Sequence, residues 1–103
     1  MVEYYQVWLS AETKAQSKKI LDALTRLKLI LGGTILNGPS HFWWKGKEID
    51  MNYCYIMGFT IGKNRRRVEK EFERISEEEV PMISFIKMAG NKKFLKFIYE
   101  NTK

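Results

Sequence analysis

A chain of 103 residues and 12.2 kDa holds one domain's worth of sequence, enough to bury about two-thirds of its unfolded surface in a single core. Hydrophobic residues at 45% and aromatics at 14% exclude wholesale disorder, and one cysteine, Cys54, excludes both a disulfide scaffold and a Cys/His zinc framework. The net charge of +6 and pI near 9.5 permit loose attraction to polyanions without specifying one. Residues 1–51 carry seven bases and five acids and residues 52–103 eleven and seven, so neither half is a basic tail of the nucleic-acid kind. No apolar run approaches the roughly 18 residues of a membrane span, and Met1 to Ser10 has no basic start, apolar segment or cleavage site. A cytoplasmic protein that does not engage membranes is expected.

Glu3 to Ser10 is rich in aromatic and β-branched residues, with Tyr5, Val7 and Leu9 on one face, and reads as a first strand. From Glu12 to Leu31 the apolar residues Ala15, Ile20, Ala23, Leu24, Leu27 and Leu31 recur at steps of three and four. This spacing predicts a long amphipathic helix, capped by Ser10 or Thr13 and ended by Gly32-Gly33. Thr34 to Leu36 and Ser40 to Lys45 read as extended chain interrupted by Asn37-Gly38-Pro39, which predicts a bent or bulged strand. Lys45-Gly46-Lys47 is the expected turn, and Glu48 to Ile61 the long return strand, with Tyr53, Tyr55, Met57 and Phe59 facing opposite to Cys54, Ile56 and Gly58.

Asn64 is the expected cap of a second helix, Arg65 to about Ser76, with Val68, Phe72 and Ile75 at helical spacing and Arg65/Glu69 and Arg67/Glu71 as i,i+4 pairs. Pro81 leads into a strand from Met82 to Met88. Ala89-Gly90-Asn91 leads into a short last helix carrying Phe94, Leu95, Phe97 and Ile98. The order βαββαβ with right-handed crossovers predicts an α+β, ferredoxin-like sandwich over residues 1–103, with a long β-hairpin, helices on one sheet face and a short C-terminal helix.

Three segments carry a resemblance to a known family. Ser40-His41-Phe42-Trp43-Trp44-Lys45-Gly46 is similar to an S-x-Y-x-W-x-G hairpin, with Phe42 for Tyr. Glu79-Val80-Pro81 is similar to the end of an H-P-Y-x-V-P segment, and Gly90 to Ile98 to a closing G-x-x-x-Y-L-x-W-I. In joint order and spacing these resemble the CutA family, the divalent-cation tolerance proteins related in fold to PII signalling proteins. The resemblance covers nearly the whole chain. It implies a homotrimer packed through sheets and hairpins, and a role in divalent-metal tolerance or regulatory binding, with copper or another divalent cation as the cofactor implied. The chain departs from the pattern where soft ligands would lie. Gly32 and Leu9 stand where members place cysteines, Ile75 and Ser76 where they place histidines, and Glu77-Glu78 replaces the P-Y pair. Copper selection wants thiolate or imidazole, so no metal site is assigned.

Trp43 and Trp44 point to opposite faces of one strand, and a single helical layer shelters only one of them. Phe42, Trp43, Trp44, Gly46, Tyr53 and Tyr55 are therefore the expected oligomer interface. Lys63, Arg65, Arg66 and Arg67 gather at the start of the second helix and Glu77, Glu78 and Glu79 follow its end, the wrong polarity for the macrodipole at both ends. This marks the basic cluster as a candidate anion site or a contact between subunits, set against a solvated helix whose i,i+4 pairs compensate. The three glutamates make a poor cage for a hard cation. His41 has no evident partner for metal or proton-transfer work and reads as an ordinary strand or interface histidine, and Cys54 as a small buried apolar residue. No Ser/His/Asp or Cys/His arrangement can be assembled, so a non-catalytic protein is expected. The alternative is an RNA-binding module of the RRM kind, with Tyr53, Tyr55 and Phe59 stacking bases. Its glycine-aromatic signature is absent from Asn52 to Ile61, and no specific nucleic acid is expected. An acylphosphatase-like enzyme needs a phosphate-cradling loop that Ser10-Ala11-Glu12 does not supply.

Overall fold

Four segments of alternating burial and three amphipathic ones set the architecture. The computed structural model describes residues 1–103 and runs β1 (Tyr4–Ala11), α1 (Lys14–Arg26), β2 (Gly33–Trp44), β3 (Lys47–Ile61), a 3-10 turn at Gly62–Asn64, α2 (Arg65–Ile75), β4 (Ile83–Met88) and α3 (Lys92–Glu100). The strands form one sheet in the order β2-β3-β1-β4, with every neighbouring pair antiparallel. This is the ferredoxin-like βαββαβ arrangement with a long β2–β3 hairpin and a C-terminal helix.

One face of the sheet carries the core. Val7, Leu9 and Ala11 of β1 and Cys54 and Ile56 of β3 pack with Ile20 and Leu24 of α1 and Val68 and Phe72 of α2, and all of them are fully buried. Each large aliphatic or aromatic side chain so buried contributes about 1.5–3 kcal/mol. Thr13 caps α1 by accepting the Gln16 amide on its hydroxyl at 3.1 Å, so of the two expected caps Thr13 serves.

α1 ends at Arg26 and not at Leu31. Leu27 closes the helix, Lys28 takes a left-handed conformation at φ 60°, and Leu29 and Ile30 reach the core from the turn that follows. Leu27 and Leu31 keep helical phase in the sequence without being helical. Asn64 does not cap α2. Its side chain turns inward and donates at 3.4 Å to the Leu29 carbonyl, which also accepts the Thr60 hydroxyl at 2.6 Å, so a buried amide finds its partner on the α1–β2 connection. α2 ends at Ile75, and β4 begins at Ile83, one residue beyond its expected start.

β2 is neither bent out of the sheet nor bulged. It pairs one for one with β3 from Gly33↔Gly58 to Trp44↔Lys47. The turn is only Lys45-Gly46, at φ 49° and 79°, the two left-handed residues of a primed hairpin turn. The closing pair of such a turn exchanges main-chain hydrogen bonds and the pairs alternate from there, which puts Pro39↔Asn52 at a position where the ring faces outward. On an edge strand that costs no ladder bond. At the root of the hairpin Gly33 and Gly58 face each other. A Cβ on Gly33 would meet the Met57 carbonyl oxygen at 2.3 Å, and one on Gly58 the Gly32 carbonyl oxygen at 2.7 Å, so only glycines allow this approach.

β1 pairs with β3 only from Cys54 to Ile61, so residues 38–53 of the hairpin run beyond the sheet's centre and stretch the molecule to 44 × 24 × 20 Å. The crossover helices α1 and α2 share one face, as expected from the order of elements, but α3 does not. α3 lies across the other face, where Phe94 meets Phe59 edge-on at 5.1 Å between ring centroids.

Candidate functional site

The face away from α1 and α2 is the feature that calls for explanation. By strand alternation it carries Gln6, Trp8 and Ser10 of β1, Leu36, Phe42 and Trp44 of β2, Tyr53, Tyr55, Met57 and Phe59 of β3, and Ile86 of β4. α3 covers one end of it at Phe59. The other end is held by the segment between α2 and β4, where Glu78 accepts from the Ser10 hydroxyl at 2.6 Å and from the Tyr53 hydroxyl. The Ser10 hydroxyl in turn accepts the Met82 amide at 2.9 Å, and burial first, then the Glu78 carboxylate, pushes the Tyr53 phenol well above its ordinary pKa. Between these two covers the face is open. Leu36 and Ile86 are 47% and 52% exposed.

The residues expected at an interface divide by this geometry. Phe42, Tyr53 and Tyr55 form a run of rings, 5.6 Å between neighbouring centroids, with Tyr53 buried under the Glu78 segment and Phe42 and Tyr55 half-buried on either side of it. Trp44 lies on the same side, with the Lys45 ammonium 5.4 Å from its ring. Trp43 is on the opposite side of the hairpin and is 72% exposed, the most open aromatic of the overhang. Gly46 completes the turn at its tip.

Two of the three glutamates after α2 are engaged within the chain. Besides Glu78, Glu79 pairs with Lys45 at 3.1 Å and ties the segment to the hairpin turn. At the start of α2, Arg65 lies 4.5 Å above the Tyr5 ring, while Arg66 and Arg67 point to solvent. Neither expected i,i+4 pair forms. Glu71 takes Arg74 in place of Arg67, and Arg65 is committed to Tyr5, so side-chain reach along the last turn and across to β1 overrides the spacing.

His41 does have partners, contrary to expectation. Its Nδ1 lies 2.6 Å from Asp50 Oδ1 and its Nε2 2.9 Å from Glu48 Oε1, across the hairpin and on the same side as Trp43. The two carboxylates sit at opposite ring nitrogens, so no single ion can take all three groups, and no cluster of three His, Cys, Asp or Glu residues converges to hold a metal. Cys54 is buried, with the Asn37 amide donating to its sulfur at 3.1 Å. Copper's preferred thiolate and imidazole donors are thus spoken for within the subunit. No helix is long and apolar enough to cross a membrane.

Comparison with known proteins places this geometry. The family model described as CutA1 divalent ion tolerance protein matches residues 5–101. The chain is similar in structure to the divalent ion tolerance protein CutA1 of Ehrlichia chaffeensis, with TM-score 0.92 and 21% identity over 100% of this chain and 98% of that one. It is similar also to the protein described as the periplasmic divalent cation tolerance protein CutA of Archaeoglobus fulgidus, with TM-score 0.90 and 24% identity over 100% of both chains. CutA1 of Oryza sativa matches with TM-score 0.92 and 19% identity over 98% of this chain and 94% of that one. No curated protein gives a significant sequence match.

Proposed function

Because the chain belongs to the CutA1 divalent ion tolerance family, we propose that it works as a non-catalytic homotrimer, a regulatory or scaffold protein of divalent-cation tolerance in the cytoplasm. The observation that carries this reading is the open sheet face. A soluble monomer exposes scattered apolar residues, not a continuous surface of Trp8, Leu36, Tyr55, Met57 and Ile86 extended by the rings of an overhanging hairpin. A second copy of the same surface is the cover that burial asks for, and the count of three comes from the family. Phe42, Trp44 and Tyr55 line the contact, with Tyr53, buried under Glu78, supporting them from within the subunit, and with Trp43 and Gly46 at the tip reaching a neighbour. The basic group Lys63, Arg65, Arg66 and Arg67 stands outside this surface as a weak anion or subunit contact, with Arg66 and Arg67 as its free charges.

Copper or another divalent cation enters this reading by family resemblance only. The donors present do not form a site for it within one subunit, and no step is routed through a bound ion. The RNA-binding alternative loses its platform, since Tyr53 is held by Glu78 and Phe59 by Phe94. Light scattering after gel filtration tests the assembly: a particle of three times 12.2 kDa is expected, and a stable single-chain particle at micromolar concentration rejects it. Calorimetric titration with copper is expected to show no tight site. A stoichiometric sub-micromolar isotherm overturns that.

A further inference from the structure

The hairpin tip carries a charged ladder that the assembly reading does not use. With Trp44 and Lys47 as the hydrogen-bonded closing pair, His41 and Asp50 fall on a pair that exchanges no main-chain bonds. Side chains stand closest at such pairs, and the ring nitrogen Nδ1 meets Asp50 at 2.6 Å. Glu48, the diagonal neighbour on β3, meets Nε2 at 2.9 Å. An ionised carboxylate only accepts hydrogen bonds. Both ring nitrogens must therefore donate, and only the imidazolium carries two N–H groups. In the neutral ring one nitrogen presents a lone pair to a carboxylate, and one of the two contacts is lost.

We propose that Glu48, His41 and Asp50 form a proton-operated clasp that draws β2 and β3 together at the hairpin tip when the ring is charged and releases one carboxylate when it is neutral. This deepens the assembly reading and rests on it for its effect, because the same tip carries Phe42, Trp43 and Trp44. The other charges nearby are committed elsewhere. Lys45, in the turn, reaches to the opposite side, where it lies by the Trp44 ring and pairs with Glu79, and Lys47 lies on that side too, opposite Trp44. Asp50 first, and Glu48 second, hold the ring's pKa above the ordinary imidazole value of 6.5. A raised folded-state pKa means that the stabilisation is complete below the unfolded value and disappears as pH rises through the folded one. The clasp therefore holds below the ordinary imidazole value and lets go as the pH rises beyond it. The ring is 57% exposed, so salt screens the pair, and the device adjusts the tip without locking it.

Proton NMR titration of the one histidine tests the clasp directly. The midpoint should lie above about 6.5, Glu48→Gln and Asp50→Asn should each lower it, and the double variant should bring it back to about that value. A wild-type midpoint at or below 6.5, or one that neither variant moves, overturns the proposal. For the effect on assembly, guanidinium dissociation of the trimer should become easier as the pH rises through the midpoint found by that titration in the wild type and change less in His41→Gln. Parallel pH profiles overturn that effect. A monomer at every pH overturns the assembly reading instead, while the titration midpoint still decides the clasp.

Discussion

The two faces of this sheet are made from the same strands and nearly the same kinds of residue, yet one is finished within the chain and the other is not. On the helical face Val7, Leu9, Cys54 and Ile56 are fully buried beneath Ile20, Leu24, Val68 and Phe72. On the other face Trp8, Tyr55 and Met57 are half-buried and Leu36 and Ile86 exposed. A short helix covers one end and a glutamate latch the other. Local folding is thus complete on one side, and the surplus apolar surface on the other is available for association. The lesson is that burial within a subunit and burial between subunits are separable here by face, residue by residue.

The sharpest way to break the contrast is from the finished side. Phe72→Ala removes a fully buried ring from the helical face and should cost about 3–5 kcal/mol, read as a lower denaturation midpoint with loss of native circular dichroism. On the open side Met57→Lys should do the reverse. The subunit keeps its fold by circular dichroism while sedimentation shifts from three copies to one, because an ammonium in the contact leaves a buried charge unpaired. If Met57→Lys unfolds the subunit as Phe72→Ala does, the two faces are not independent.

Tyr53→Phe deletes one of the two hydroxyls that the Glu78 carboxylate accepts and should cost about 1.5–3 kcal/mol, with the α2–β4 segment gaining hydrogen exchange while the core keeps its protection. Thr13→Ala removes the α1 cap and should cost about 1 kcal/mol, an effect confined to the finished side and visible in denaturant curves without change of assembly.

Most of the fold is legible in the residues because the alternation of Tyr5, Val7 and Leu9 and the helical spacing of Val68, Phe72 and Ile75 each admit one period. α1 was overextended because Leu27 and Leu31 keep phase across a left-handed Lys28, and backbone handedness at a lysine leaves no mark on hydropathy. Pro39 suggests a break only until β2 is known to be an edge strand. The partners of His41 were within reach of the sequence: a two-residue Lys45-Gly46 turn places His41 opposite Asp50 by counting, whereas a three-residue turn at Lys45-Gly46-Lys47 shifts the register and hides the pair. The Glu78 latch had no such signal, since it joins β1 and β3 to a segment far along the chain through side chains alone.

The facing glycines at the hairpin root have a mechanical consequence. From Gly38 to Trp44 the strand extends about 20 Å at 3.3 Å per residue beyond Cys54, the last residue of β3 that β1 holds, so it behaves as a beam whose fixed end lies inside the sheet. At the deep end of that anchorage β2 and β3 press together where neither Gly33 nor Gly58 has room for a side chain. A substitution at either would part the strands there, at the end farthest from where the aromatic rings of the arm must land.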